Sequence, residues 1–332
     1  LLYQSIKVLL PDTKILNFHL PIIIILSLFS SMGWTVSQLM PDIFTSYLVL
    51  AIFLFYAWNK KSVGMYTFLS VIIISSILSH LTNITISVLM IGFLFIAFLI
   101  TGPDRKDLIL FIKKSVVIVT LIFISLLILR EFNRKYYNYQ GLSPTSQIFF
   151  VARLMDTGFM PEFLDEKCAE ETYDMCRFKG HLPVSYEDFL WNPNSVFNKT
   201  GGWNINEHEE YGRIIHDVLT TPKYLGKFLY NCGMHSLSQL KTFEIGDGLT
   251  TVYNKESAQY QTATRHFDKR EFREDYLNSK QTQGNLKFDK VNLMNYILLA
   301  VSVLIILWTF IKSKFDNNMA LFTFIVIGTY II

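Results

Sequence analysis

Charge is what this chain has least of. Asp, Glu, Lys and Arg make up 17% of its 332 residues, against about 25% in an average soluble domain. No charged residue lies between Lys14 and Asp42, between Asp42 and Lys60, or between Lys61 and Asp104. Such runs argue against a soluble fold for this part of the chain and suit bilayer spans, which need roughly 20 apolar residues each. The net charge of +3 is small and no basic patch is interleaved with aromatics, so no nucleic acid partner is expected. Cysteine is scarce too, with three residues, and their spacing is too wide for a zinc site, so no metal is expected. A Walker motif, an HExxH and a GxSxG in triad context are all missing. Lys7, Pro11 and Asp12 interrupt the start before the apolar core of a signal peptide could form. The chain opens Leu1-Leu2-Tyr3 and ends at Ile332 within an apolar run, so further spans are expected beyond both ends.

What is present is 51% hydrophobic and 15% aromatic residues. The apolar runs predict an all-α membrane protein with seven transmembrane helices. They fall at residues 18–39 and 43–58, at a hairpin of two within 62–100, at 108–129 and 291–311, and from Met319 onward. The hairpin turns at Ser79-His80-Leu81-Thr82-Asn83, and Lys113 and Lys114 are expected to snorkel to an interface. Lys and Arg occupy every second short loop, at Lys60 and Lys61, at Arg105 and Lys106, and at Lys312 and Lys314. The loops at Asp42 and His80 have neither. The positive-inside rule therefore predicts a multi-pass protein of the cytoplasmic membrane, with Asp42, His80 and residues 131–290 on the extracytoplasmic side. Three domains are expected: a membrane domain over 1–130, a mainly helical outer domain over 131–290, and two further spans over 291–332.

Helical apolar spacing marks 147–155, 209–219, 222–243 and 257–277 within the outer domain, and Pro222 after two threonines is a helix start. The Tyr-rich stretch RKYYNYQG opens the domain and suits an interface. Cys168 and Cys176 bracket the polar loop CAEETYDMC; in an oxidising compartment they read as a disulfide, the alternative being two free thiols in a core. Cys232 reads as a small buried hydrophobe. The stretch from Gly180 to Trp203 mixes acids, prolines, paired glycines and aromatics, including Asp188, Trp191 and Trp203. It reads either as a loop binding substrate on its Trp faces or as a structural loop.

Two residues could carry acid–base chemistry. Asp42 precedes an apolar helix, where a carboxylate is either a functional group or an N-cap. His80 is either an acid, base or anion donor on the same face, or a polar apex of the hairpin. The acids Glu207, Glu209 and Glu210 read first as a solvated helix N-terminus, with Glu209 and Arg213 paired four residues apart. Gly246-Asp247-Gly248 reads as a turn. The sequons at Asn83 and Asn198 match glycosylation acceptors by pattern only.

MPDIF at a span start, SHLTN at the hairpin, VARLMDTG, and the Cys pair followed by LP, DFLW and GGW resemble a set of bacterial multi-pass membrane proteins of no assigned activity. The matching pieces extend over residues 33–248. That set in turn resembles, distantly, membrane glycosyltransferases of the GT-C class. The resemblance implies an outward-facing site that takes a sugar from a polyprenyl-phosphate carrier and gives it to an envelope glycan or protein acceptor, in contact with the lipid bilayer. In that class an Asp or Glu of the first outer loop is the usual general base; here Asp42 sits in a later one. On this reading Asp42 activates the acceptor hydroxyl, while His80 or Arg153, a bidentate donor, holds the carrier phosphate. The alternative is a non-enzymatic envelope assembly or scaffold protein whose outer domain binds a partner. A transporter ranks third, since no ionisable residue sits at mid-span.

Overall fold

The structure, a computed structural model, describes residues 1–9, 19–29, 41–58, 60–100, 104–169, 173–192, 194–204, 209–239, 244–245, 260, 264–267 and 270–312. Among these residues every regular element is a helix. The chain divides into two compact units, Leu1–Ser115 with Leu240–Ile331, and Val116–Gln239.

The first unit contains α1 (Leu2–Leu9), α2 (His19–Phe29), α3 (Ile43–Ala57), α4 (Val63–Ser79), α5 (Thr82–Ile100) and the start of α6 (Arg105–Tyr137). Helix α3 is its centre: every side chain from Ala51 to Ala57 is buried, and α1, α4 and α5 pack against it. Tyr56 stacks on Phe111 with ring centroids 4.8 Å apart, and its hydroxyl meets Ser115 Oγ at 2.7 Å. Lys114 is buried and does not snorkel. Its ammonium donates to the carbonyls of Tyr56 (2.7 Å) and Trp58 (3.0 Å), so a cation from α6 satisfies the orphan carbonyls at the end of α3. Ser62 caps α4 by accepting from Met65 N at 3.4 Å. The last helix of the unit is α14 (Asp289–Lys312).

The all-α class stands, and the expected count of seven spans is not supported. Among the described residues one helix, α6, with 33 residues and a mean hydropathy of 2.4 in its best window, is both long and apolar enough to cross a membrane. The expected bounds hold closely, and it is the lengths between them that fall short. The Pro41-Asp42 turn and the extended backbone of Trp58 (φ −78°, ψ 114°) bound α3 at 15 residues, against 43–58 expected. At 1.5 Å per residue that is about 22 Å, short of the roughly 30 Å of a hydrocarbon core. Helix α4 stops after 17 residues at the extended His80. The second half of the first expected span and the run from Met319 lie outside the described residues.

The second unit continues α6 and adds α7 (Ser146–Asp156), α8 (Met160–Lys167), a 3₁₀ segment (Asp174–His181), the short helices α9 (Tyr186–Trp191) and α10 (Val196–Lys199), α11 (Glu209–Thr220) and α12 (Pro222–Gln239). Pro222 does start a helix, where its missing N–H costs nothing. Helix α13 (Arg270–Leu277) falls within the stretch counted with the first unit. The core of the second unit is built from Ile148, Val151 and Met155 of α7, Phe163 of α8, Tyr173, Phe189, Phe197, and Tyr211, Ile214 and Val218 of α11. Tyr211, Ile214 and Val218 follow helical spacing and turn one stripe inward.

Cys168 and Cys176 form a disulfide, with Cα atoms 5.9 Å apart. Cys232 is exposed rather than buried. The acids of α11 also depart from expectation. Glu210 is buried and accepts from the backbone N–H of Asp174 and, at 3.2 Å, of Met175. Asp217 accepts from Tyr173 Oη at 2.5 Å. These two carboxylates hold the 3₁₀ segment onto α11, so only part of the row expected as a solvated helix start is solvated. Glu207 and Gly246-Asp247-Gly248 lie outside the described residues. Elsewhere in the unit, Glu162 and Glu166 of α8 pair with Lys223, and Glu162 also with Lys227, across to α12. Tyr224 Oη donates to Glu166 at 2.5 Å.

Candidate functional site

Two groupings of expected site residues take shape, one in each unit. The first stands at the start of α3. Pro41 and Asp42 form the turn that begins the helix, their carbonyls accepting from Phe44 N and Thr45 N at 3.0 Å each. The Asp42 carboxylate makes no capping hydrogen bond. It points instead to His80 at the α4–α5 turn, with Oδ1 3.7 Å from Nε2. Asn83 fixes this approach. It is fully buried, accepts from Thr45 Oγ1 at 2.8 Å and donates to the Ser76 carbonyl at 2.7 Å, so it joins the start of α3 to both arms of the hairpin. With both ends of its amide engaged, Asn83 is not available as a glycan acceptor.

The tautomer of His80 follows from its neighbours. Nδ1 faces the backbone N–H of Thr82 at 3.3 Å and the Thr82 hydroxyl. A ring nitrogen that accepts there leaves the proton on Nε2, the atom facing Asp42. A separation of 3.7 Å exceeds a direct hydrogen bond and suits a hydroxyl or water bridging the two groups. The Asp42 side chain is 64% exposed and that of His80 36%, so the pair is open to a ligand. Chemically the arrangement offers one base and one donor.

The second grouping is a surface of the second unit. Trp191, the last residue of α9, and Trp203 lie 5.6 Å apart between ring centroids with a 37° tilt. Trp203 is supported edge-on by Phe197 at 5.0 Å and flanked by Phe149 of α7 at 6.1 Å. Local sequence explains the placement. Ser185 and Ser195 cap α9 and α10 by accepting from Asp188 N and Asn198 N, and Asn198 Nδ2 closes the intervening loop onto the Asn192 carbonyl at 2.8 Å. Gly201 and Gly202 then reverse the chain with φ of 117° and 58°, values that favour glycine. A side chain on Gly202 would also stand 3.3 Å from Asn198 Oδ1.

Arg153 lies one helical turn beyond Phe149 on α7, so both share a face. Its guanidinium pairs with Asp156 at 2.8 Å and sits 5.5 Å from the Tyr186 ring centroid, and Asp156 also accepts from Tyr186 N at 2.7 Å. Asp188 accepts from Asn192 Nδ2 at 2.8 Å. Arg153, Asp188, Trp191 and Trp203 therefore belong to one neighbourhood, joined by Phe149 and Tyr186, which sequence reasoning missed. The four-residue spacing of Phe149 and Arg153 is the signal that could have found Phe149. The stretch expected as a loop is largely short helix, which holds these rings in fixed positions. Among the described residues no group of His, Cys, Asp and Glu could hold a metal ion.

Compared with family models, curated proteins and solved structures, the chain matches none.

Proposed function

We propose that this chain is a multi-pass membrane glycosyltransferase of GT-C type, moving a sugar from a polyprenyl-phosphate carrier to an extracytoplasmic acceptor, with Asp42 as base. The observation that carries the reading is the Asp42–His80 pair: a carboxylate not used as a helix cap, held beside a histidine by the buried Asn83. In the step, Asp42 takes the acceptor hydroxyl proton as that oxygen bonds to the anomeric carbon. The bond from the anomeric carbon to the phosphate oxygen breaks, and polyprenyl phosphate leaves. The Nε2–H of His80 donates to the phosphate oxygens as their charge grows. The charge-free runs, the alternation of basic loops and the resemblance to GT-C enzymes support the membrane setting and its sidedness. The engagement of Arg153 with Asp156 favours His80 as the phosphate contact.

The experiment is turnover of polyprenyl-phosphate sugars by the full chain in lipid nanodiscs, wild type beside Asp42→Asn and His80→Ala. Loss of one base typically lowers such a rate by about 10²–10⁴-fold. No consumption by the wild type, or wild-type rates in both variants, would reject the reading. The second reading, a scaffold whose outer domain binds a partner, is favoured by one observation: the exposed Trp191–Trp203 surface of the second unit.

A further inference from the structure

We infer that the Trp191–Trp203 surface binds a neutral, equatorially linked pyranose chain. This rests on the proposed function only in taking that chain as the acceptor; binding itself needs no turnover.

Three observations carry it. The two indoles are adjacent and exposed, 56% for Trp191 and 43% for Trp203, beside a well-filled core. Phe149 extends the surface at 49% exposure. The C–H face of a pyranose with equatorial substituents is flat and slightly positive, and it stacks on the negative face of an aromatic ring. Second, the rings are held before any ligand arrives, by Phe197 beneath Trp203 and by the capped α9 and α10. Pre-set rings avoid much of the ordering cost of binding.

Third, the rim selects the occupant. Glu187 and Asp188 lie four and three residues before Trp191 on α9 and so share its side. Asp156 is beside Tyr186, and Arg153 is the cation paired with it. Asp156, 14% exposed, is neutralised by Arg153, so the open charges of the rim are the carboxylates of Glu187 and Asp188, which repel an anionic glycan and an anionic lipid surface alike; carboxylates also accept hydrogen bonds from sugar hydroxyls. A membrane-docking patch would have the reverse rim, with Lys and Arg around its tryptophans.

The probe is cellohexaose, with cellohexaose oxidised to its uronate form as the anionic control, titrated into the full chain in zwitterionic nanodiscs and read by saturation-transfer NMR. The proposal expects saturable binding of the neutral probe and at least tenfold weaker binding of the anionic one. Trp191→Ala should weaken binding at least tenfold while Trp191→Phe stays within about threefold. Trp191 is more than half exposed, so an unchanged melting midpoint and an intact Cys168–Cys176 disulfide show that the variant is folded. Failure of the wild type to bind, or wild-type affinity in Trp191→Ala, overturns the inference. So does quenching by brominated lipids that is lost in Trp191→Phe, which would place this surface in the headgroups. Donor turnover measured on the same samples separates failure here from failure of the proposed reaction.

Discussion

Replacing Glu210 tests the packing of the second unit at its least expected feature, a carboxylate three residues from Arg213 that faces inward. Glu210→Ala leaves two backbone N–H groups without their acceptor, those of Asp174 and Met175. A buried donor left unsatisfied costs about 1–3 kcal/mol. Met175 is fully buried and takes the full penalty, whereas Asp174 is exposed enough for its N–H to turn to water. Removing the carboxylate also ends the cost of its burial, so the net loss is about 1–2 kcal/mol. For a unit of this size that is roughly 4–8 °C in melting temperature, at about 4 °C per kcal/mol. Glu210→Gln keeps one acceptor oxygen and should lose about half as much.

The pH dependence has a definite sign. Burial holds the Glu210 carboxyl above the ordinary glutamate range, with the Asp174 and Met175 N–H groups pulling the other way. A carboxyl easier to protonate when folded keeps its proton in the native state at pH values where the unfolded chain has lost it. Stability therefore falls as pH rises from the ordinary glutamate value through the folded one, and Gln at this position flattens that slope. Calorimetry across pH gives the global effect, and hydrogen exchange over Asp174–His181 gives the local one. A loss under about 1 kcal/mol for the alanine variant, with exchange in that segment unchanged, would refute the inward placement.

Two other predictions concern the same unit. The Cys168–Cys176 bridge closes a loop of eight-residue separation, for which the chain-entropy relation gives about 2.5 kcal/mol. A Cys168→Ser/Cys176→Ser variant should lose about that much in calorimetry, and a loss near zero contradicts it. On the acid side, hydrogen bonds from Lys223 and Lys227 hold Glu162 down to about 2, and hydrogen bonds from Lys223 and Tyr224 hold Glu166 below its usual range. Groups with lowered folded pKa values stabilise above their unfolded pKa and lose that effect as pH falls toward the folded one. The second unit should therefore weaken from about pH 5 down to about pH 2, and Lys223→Met should reduce this acid sensitivity. An unchanged acid profile in that variant would count against the network.

Local signals in the sequence carried over well. The Pro222 helix start, the turn between α4 and α5 and the apolar stripe of α11 all depend on residues within a few positions of one another. What the sequence hid was set by contacts between distant segments. Glu210 reads as a surface acid because it stands in an acidic helix start beside Glu209, yet its partners come 36 and 35 residues earlier. Lys114 reads as a snorkelling cation because nothing nearby reveals the bare carbonyls of Tyr56 and Trp58, 58 and 56 residues away. The candidate site was legible to a similar degree. Asp42 and His80 stood out as polar residues at helix ends, but their approach depends on Asn83, which the sequence offered only as part of the hairpin turn and as a glycan sequon. Helix bounds were legible, since α3 and the α4–α5 pair end within a residue or two of the expected positions and α6 and α14 run longer than expected; only the count of helices able to span a membrane was too high.

The most direct measurement is the initial rate of donor-sugar consumption by wild type, Asp42→Asn, His80→Ala and the double variant. If the two side chains act as one acid–base unit, each single variant loses most of the rate and the double variant is scarcely worse than the poorer single one. A wild type that consumes no polyprenyl-phosphate sugar, or an Asp42→Asn variant as fast as wild type, would contradict the account.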